Sequence, residues 1–208
     1  LAIIASDKQE LANKLVKISA GAESSDVFSR QLPSNHKSPK IAYLFTGQGS
    51  QYINMGCQLY ETQPTFRQVI DECAELMEPY LDRPLLSILY PEECDRHLID
   101  RTIYAQPTLF ALEYALCRLW QSWGVLPDAV LGHSVGEYVA AVVAGVLNLA
   151  DGVRLVTARA KLMQSLPSTG EMIAVFTTPD LIQKVVTIDG QSLSFAAYNN
   201  PQNTVISG

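Results

Sequence analysis

Hydrophobic and polar positions follow two different periods along this chain, and each change of period marks an element. Residues 1–5 (Leu1, Ala2, Ile3, Ile4, Ala5) form a short apolar run that predicts a strand. Ser6 and Asp7 offer a helix cap, Leu11, Leu15 and Ile18 fall at helical spacing within 8–20, and Gly21 is the stop. Residues 22–39 are rich in Ser, Asn and Lys, with Pro33 and Pro39, and read as an extended linker laid over a neighbour. A buried-type strand is expected over 41–45, opening into Thr46-Gly47-Gln48-Gly49-Ser50-Gln51. Helical patterns then dominate to Trp123; the last of these helices is expected over 107–123, with Pro107 at its first position and Phe110, Leu112, Leu116 and Leu119 inside.

Beyond Gly124 and Pro127 the apolar run 128–131 predicts a strand that turns directly into a long Ala- and Val-rich helical stretch. A further helix is expected after Asp151 as its cap. On a wheel of about 100° per residue its polar arc holds Arg154, Thr157, Lys161 and Gln164, and its apolar arc holds Leu155, Val156, Ala160, Leu162 and Met163. Arg159 falls in the middle of the apolar arc. The last forty residues change character, with strands expected over 172–176, 193–198 and 203–207 and a helix over 179–186. That β-α-β-β order is the first part of a ferredoxin-like unit. The fold expected is α/β: a hydrolase-like parallel-sheet core followed by an incomplete ferredoxin-like α+β subdomain.

Composition narrows the function classes. The 208 residues are 48% hydrophobic and 17% charged, enough to bury a core. The formal net charge of -6 leaves no basic stripe to neutralise phosphates, which argues against nucleic acid or an anionic membrane as partner. No run approaches the ~18 apolar residues of a membrane span, and the N-terminus lacks the basic flank of a signal peptide, so a cytoplasmic location is the default expectation. Cys57, Cys73, Cys94 and Cys117 show no repeated spacing, which indicates neither a disulfide framework nor a metal knuckle. Cys94 and His97 have ligand-like spacing but no second pair, so no metal is expected there and the segment reads as a solvated loop. The chain starts without Met and stops within an expected strand, as a piece of a longer polypeptide would.

The chemistry centres on Gly132-His133-Ser134-Val135-Gly136, a G-x-S-x-G pentapeptide between an apolar strand and a helix. This is the layout of a nucleophile elbow: small residues let the chain turn sharply, the Ser134 hydroxyl is lifted clear, and the Val135 amide is aimed where an oxyanion forms. The glycines at 47 and 49 suit an anion-cradling loop, though the Lys and hydroxyl of a phosphate loop are absent. An inward Arg159 needs an anion. It is either a structural ion pair with a core carboxylate or a planar fork for a substrate carboxylate. A serine nucleophile also needs a base. Of the three histidines, His36 lies in the linker, His97 in a polar loop, and His133 beside the nucleophile, where packing or orientation suits it better. In hydrolases of this layout the histidine follows the serine, and none follows here.

Four motifs in order carry a resemblance: Phe45-Thr46-Gly47-Gln48-Gly49-Ser50-Gln51, Tyr104-Ala105-Gln106-Pro107, Gly132-His133-Ser134-Val135-Gly136-Glu137, and Arg159-Ala160-Lys161-Leu162-Met163. From about residue 40 to the end, the chain resembles the malonyl-CoA:acyl-carrier-protein transacylases, and more narrowly the acyltransferase domain of a modular type I polyketide synthase. The resemblance implies three segments: 1–39 as a ketosynthase-to-acyltransferase linker, 40–168 as the first part of the large subdomain, and 169–208 as the small subdomain. It implies that Ser134 carries malonate as an ester, that Arg159 pairs with the malonyl carboxylate, and that backbone amides of Gln48 and Val135 hold the oxyanion. Gln106 and His133 would line the pocket. Coenzyme A thioester would be the donor, and the phosphopantetheine thiol of an acyl carrier protein the acceptor, with no metal or other cofactor; an adjoining ketosynthase would be the neighbouring partner. The family's catalytic histidine has no counterpart here, which places it beyond residue 208 and predicts that residues 1–208 alone turn over poorly. Thr102-Ile103-Tyr104-Ala105-Gln106 and the aliphatic Val135 resemble the malonyl-selective rather than the methylmalonyl-selective members. Two other readings are a serine esterase or thioesterase, since G-x-S-x-G is widely shared, and a noncatalytic scaffold remnant.

Overall fold

The computed structural model describes residues 1–22, 25–29, 31, 38–167 and 169–208. They divide into two units, Leu1–Lys40 and Ile41–Gly208.

In the first unit β1 (Ala2–Ile3) precedes α1 (Lys8–Ser19) and pairs antiparallel with β2 (Val27–Phe28). Asp7 caps the helix, its carboxylate accepting the Glu10 amide at 2.7 Å. Lys14 ties the unit together by donating to Ile4 O at 2.8 Å and Asp26 Oδ2 at 2.9 Å. Within the stretch expected as an extended linker over 22–39, Val27 and Phe28 form β2 and find a partner in the apolar N-terminal run. His36 and Pro33 lie outside the described residues.

The second unit begins with β3 (Ala42–Phe45), which pairs in parallel with β4 (Ala129–Gly132), Phe45 opposite Gly132. Between them run α2 (Cys57–Thr62), α3 (Pro64–Met77), α4 (Leu85–Leu89), a 3₁₀ segment (Glu93–Asp100) and α5 (Thr102–Ser122). Cys94 and His97 therefore sit, exposed, on 3₁₀ turns rather than in an irregular loop. The helix α5 starts five residues before its expected first position, so Pro107 lies inside it. A proline there has no N–H to give the carbonyl four residues back. The first turn holds because Tyr104 and Ala105 donate to Arg101 O, both at 2.8 Å, and because Tyr104, Ala105 and Gln106 are buried.

After the elbow come α6 (Gly136–Val143), shorter than its Ala- and Val-rich sequence suggests and followed by Gly145 at φ 75°, and α7 (Leu149–Gln164). The cap of α7 is Asn148, whose Oδ1 accepts the Asp151 amide at 2.8 Å; Asp151 is already in the first turn. Its buried side is Val153, Val156, Thr157 and Ala160, whereas Leu155, Leu162 and Met163 are exposed. Thr157 can be buried because its hydroxyl donates to Val153 O at 2.7 Å. Arg159 is half-buried at the margin of that side, not at its centre. The core is built around α5, packed against α3, α6 and α7, with Phe66, Ile70, Met77, Phe110 and Val139 wholly enclosed.

The last elements are β5 (Met172–Val175), α8 (Pro179–Val185), β6 (Ser194–Asn200) and β7 (Asn203–Ser207). They form an antiparallel sheet of order β5-β7-β6. This is the strand order of the first three strands of a ferredoxin-like unit.

Candidate active site

Ser134 stands at φ 53°, a left-handed backbone that a serine adopts at a cost of about 1–2 kcal/mol. The surroundings hold it there. Gly136 has no room for a side chain: a Cβ would lie 2.5 Å from both Phe45 O and Thr46 O. The His133 amide donates to Phe45 O at 3.0 Å and the Gly136 amide to His133 O at 3.0 Å, so the strand end and the elbow are locked to each other. Gly47 lies equally close to the elbow, since a Cβ there would lie 2.7 Å from His133 Nδ1. Gly132 is closed off by the elbow itself, a Cβ there lying 2.2 Å from Glu137 N, so both glycines of the pentapeptide are required by backbone crowding.

The Ser134 hydroxyl is exposed and accepts from Arg159 Nη2 at 3.2 Å. The other side of the guanidinium donates from Nη1 to Gln106 Oε1 at 2.6 Å. Gln106, fully buried, gives its Nε2 to Gln48 Oε1 at 3.2 Å and lies 3.3 Å from Met163 Sδ. Gln48 Nε2 in turn donates to Thr102 Oγ1 at 3.1 Å. Tyr138 places its ring 5.8 Å from Arg159 Cζ. Among the described residues no carboxylate oxygen lies within ion-pair distance of Arg159, so the structural ion pair is not what holds it. A half-buried cation without a carboxylate, one hydrogen bond from an exposed hydroxyl, can receive an anionic group beside an electrophile at Ser134.

The six residues singled out from sequence fall into one neighbourhood. Ser134, Arg159, Gln106 and Gln48 are joined by continuous hydrogen bonds. Val135 is buried at the start of α6, and among the described residues neither its amide nor that of Gln48 has an acceptor. His133 lies between Gly47 and the small sheet: its Nε2 meets Asn199 Oδ1 at 3.0 Å, linking the elbow to β6. Sequence reasoning did not single out Thr102, Tyr138, Asn199 or Glu113. Thr102 lies in a segment already noted for its pattern, and Tyr138 is one helical turn beyond Ser134; nothing in the sequence marks the other two.

Glu113 is nearly enclosed at 9% exposure, and its Oε1 accepts both the Thr46 amide, at 2.7 Å, and the Thr46 hydroxyl, at 2.5 Å. Burial pushes its carboxyl above the ordinary carboxylate range, while the two Thr46 donors pull the other way.

A parallel strand pair bearing a left-handed serine at a strand-to-helix turn, with the Val135 amide unpaired among the described residues and a guanidinium within hydrogen-bond reach, is an arrangement suited to serine acyl transfer. The chain belongs to the acyl transferase domain family, which it matches over residues 42–208. It is 42% identical over 99% of its length to the PKS-NRPS hybrid synthetase ATPKS of Aspergillus niger, 11% of which is covered. It is superposable, at a TM-score of 0.87 and 38% identity, on the acyltransferase domain from the second module of the salinomycin polyketide synthase, covering all of this chain and 47% of that one. The malonyl-CoA:acyl carrier protein transacylase (FabD) of Xanthomonas oryzae pv. oryzae aligns with 83% of the chain at a TM-score of 0.71 and 33% identity, with 55% of that protein covered. The fold is therefore the hydrolase-like α/β core with a small ferredoxin-like subdomain expected from the sequence. The chain spans about half the length of these solved relatives. Among the described residues no helix is long and apolar enough to cross a membrane.

Proposed function

We propose that this chain carries the acylation site of a malonyl transferase, moving a malonyl unit from coenzyme A through a Ser134 ester to the phosphopantetheine thiol of an acyl carrier protein in polyketide or fatty acid assembly. The observation that carries this reading is the guanidinium of Arg159, fixed by Gln106 and donating to the Ser134 hydroxyl with no carboxylate among the described residues to neutralise it. An esterase for neutral substrates has no use for such a group.

In this mechanism the malonyl carboxylate takes the place of Ser134 Oγ on the Arg159 fork, and the thioester carbonyl comes to rest beside the hydroxyl. Ser134 Oγ bonds to the carbonyl carbon as its proton leaves, and negative charge moves to the carbonyl oxygen, where the Gln48 and Val135 amides stabilise it. Collapse breaks the carbon–sulfur bond, and coenzyme A departs as the protonated thiol. The carrier thiol reverses the sequence, giving ping-pong kinetics. Ser134 Oγ has only Arg159 as a hydrogen-bond partner among the described residues, so the group that takes its proton comes, in this reading, from a histidine outside residues 1–208. Thr102, Gln106 and Val135 support malonyl over methylmalonyl as the extender. Residues 1–39 act as the connection to a ketosynthase, with residues 40–168 and 169–208 as parts of the two subdomains of the transferase.

Intact-mass measurement on the polypeptide as its gene encodes it tests the reading. Malonyl-CoA should add one malonyl group, Ser134→Ala should abolish the adduct, and Arg159→Ala should lose malonyl while keeping an uncharged acyl donor. A malonyl adduct on Ser134→Ala refutes the assignment. Equal loss of both donors on Arg159→Ala makes Arg159 structural.

A further inference from the structure

The carboxyl of Glu113 takes no part in the acyl-transfer steps, yet it is buried beneath the loop that carries Gln48. Oε1 accepts two donors from one residue, the Thr46 amide and hydroxyl, and Oε2 has no partner among the described residues. A half-satisfied buried carboxyl is a poor stabiliser. Apolar replacement of such groups is often neutral or favourable, so stability alone does not account for a Glu here. What the position does account for is the loop. Thr46 is the hinge between β3, whose Phe45 is locked to the elbow, and the Gly47-Gln48-Gly49 run, where Gly49 is at φ 113°. Its hydroxyl also meets Ser50 Oγ at 2.8 Å, and Ser50 Oγ donates to Gly47 O at 3.1 Å.

Glu113 and Gln106 are seven residues apart on α5, two helical turns on one face. Gln106 steadies the loop through the Gln48 side chain; Glu113 steadies it through the Thr46 backbone and hydroxyl. We infer that Glu113 is a positioning residue for acyl transfer: by fixing Thr46 from below, it sets the direction of the Gln48 amide toward the oxyanion. Without this clamp the glycines on both sides leave the Gln48 peptide free to rotate. A donor misplaced by about 1 Å is worth up to roughly a hundredfold in rate.

The inference rests on the acyl-transfer reading above, and the experiment separates the two. Wild type, Glu113→Leu, Glu113→Gln and Thr46→Val are made in the polypeptide as its gene encodes it. Acylation by malonyl-CoA is followed by rapid-quench mass measurement, and amide exchange is read on the peptide covering residues 44–51. Glu113→Leu should lower the acylation rate constant about ten- to hundredfold with KM changed less than about twofold, because Glu113 does not touch the substrate. The same variant should speed exchange in residues 44–51 while its melting temperature stays at or above that of wild type. Glu113→Gln, which keeps an acceptor for Thr46, should recover most of the rate. Thr46→Val, at an exposed position that tolerates the change, should lose several-fold if Glu113→Leu does not fold. Failure of wild type to acylate overturns the acyl-transfer reading and leaves the exchange measurement to judge the clamp. Acylation and exchange both unchanged in Glu113→Leu, or in Thr46→Val if Glu113→Leu does not fold, overturn the inference. So does a loss of rate that merely follows a loss of melting temperature.

Discussion

Replacing Gln106 by Leu isolates the link between Arg159 and the loop that carries Gln48. The side chain is fully buried, similar in size to Leu, and makes one charge-assisted bond to Arg159 at 2.6 Å and one neutral bond to Gln48 at 3.2 Å. Hydrogen bonds to charged groups contribute about 1.5–3 kcal/mol, and neutral ones about 0.5–1.5 kcal/mol. Losing the first frees Arg159 to swing off the position where a malonyl carboxylate would meet it. At 1.4 kcal/mol per factor of ten, kcat/KM for malonyl-CoA should fall about ten- to hundredfold. An uncharged donor such as acetyl-CoA does not use the fork and feels only the neutral bond to Gln48, so its kcat/KM should fall by no more than about tenfold. The assay is acyl transfer to a carrier protein from the two donors in parallel, using the polypeptide at its gene-encoded length. A Gln106→Leu enzyme that loses both donors equally, or that keeps full malonyl activity, refutes the idea that Gln106 acts by holding Arg159.

Three further expectations concern the 208-residue chain and its folding. Gly136→Ala places a methyl 2.5 Å from two backbone oxygens, and should cost about 1–3 kcal/mol in urea denaturation; a cost near zero would show that the crossing has slack. At position 134 the left-handed backbone favours glycine, so Ser134→Gly should be more stable than Ser134→Ala by about 1 kcal/mol after the entropy of glycine is counted, and the reverse order would contradict the φ of 53°. Because burial raises the folded-state pKa of Glu113 above its unfolded value, its contribution is fully present below the unfolded pKa of about 4.5 and is lost as pH rises through the folded one. Wild type should therefore lose stability relative to Glu113→Gln between pH 4 and pH 8, and a difference that stays flat or grows would refute the shift.

The elbow was legible because every signal for it is local: two glycines and a serine between an apolar strand and a helix. Likewise the strand and helix sequence of residues 172–207 carried its own turn residues, and only the boundaries moved. Arg159 was half legible. A helical wheel assumes that one arc faces the core, but α7 buries Thr157, whose hydroxyl its own helix satisfies, and leaves Leu155, Leu162 and Met163 exposed. The position of Arg159 was displaced accordingly, to a half-buried margin where Gln106 Oε1 and Ser134 Oγ accept its hydrogen bonds. Glu113 and Asn199 were illegible for a different reason. Their partners lie 67 and 66 positions away, and no periodicity connects a lone Glu in an apolar helix to a threonine on a distant loop. Pro107 misled because proline at a first turn is common, and the burial of Tyr104, Ala105 and Gln106 outweighed one missing hydrogen bond.

The parallel pairing of β3 with β4 joins residues 87 apart in sequence, as the Asp128 carboxylate on the Ile41 amide already shows. Parallel contacts of that span form slowly, because the closure entropy of the whole intervening loop is paid before they return anything. The left-handed Ser134 is held beside that distant strand end, where Phe45 O accepts the His133 amide at 3.0 Å, so the elbow is complete only when β3 and β4 are paired. In the acyl-transfer reading proposed above, a partly folded chain whose β3 has not yet met β4 would therefore present an unprimed hydroxyl.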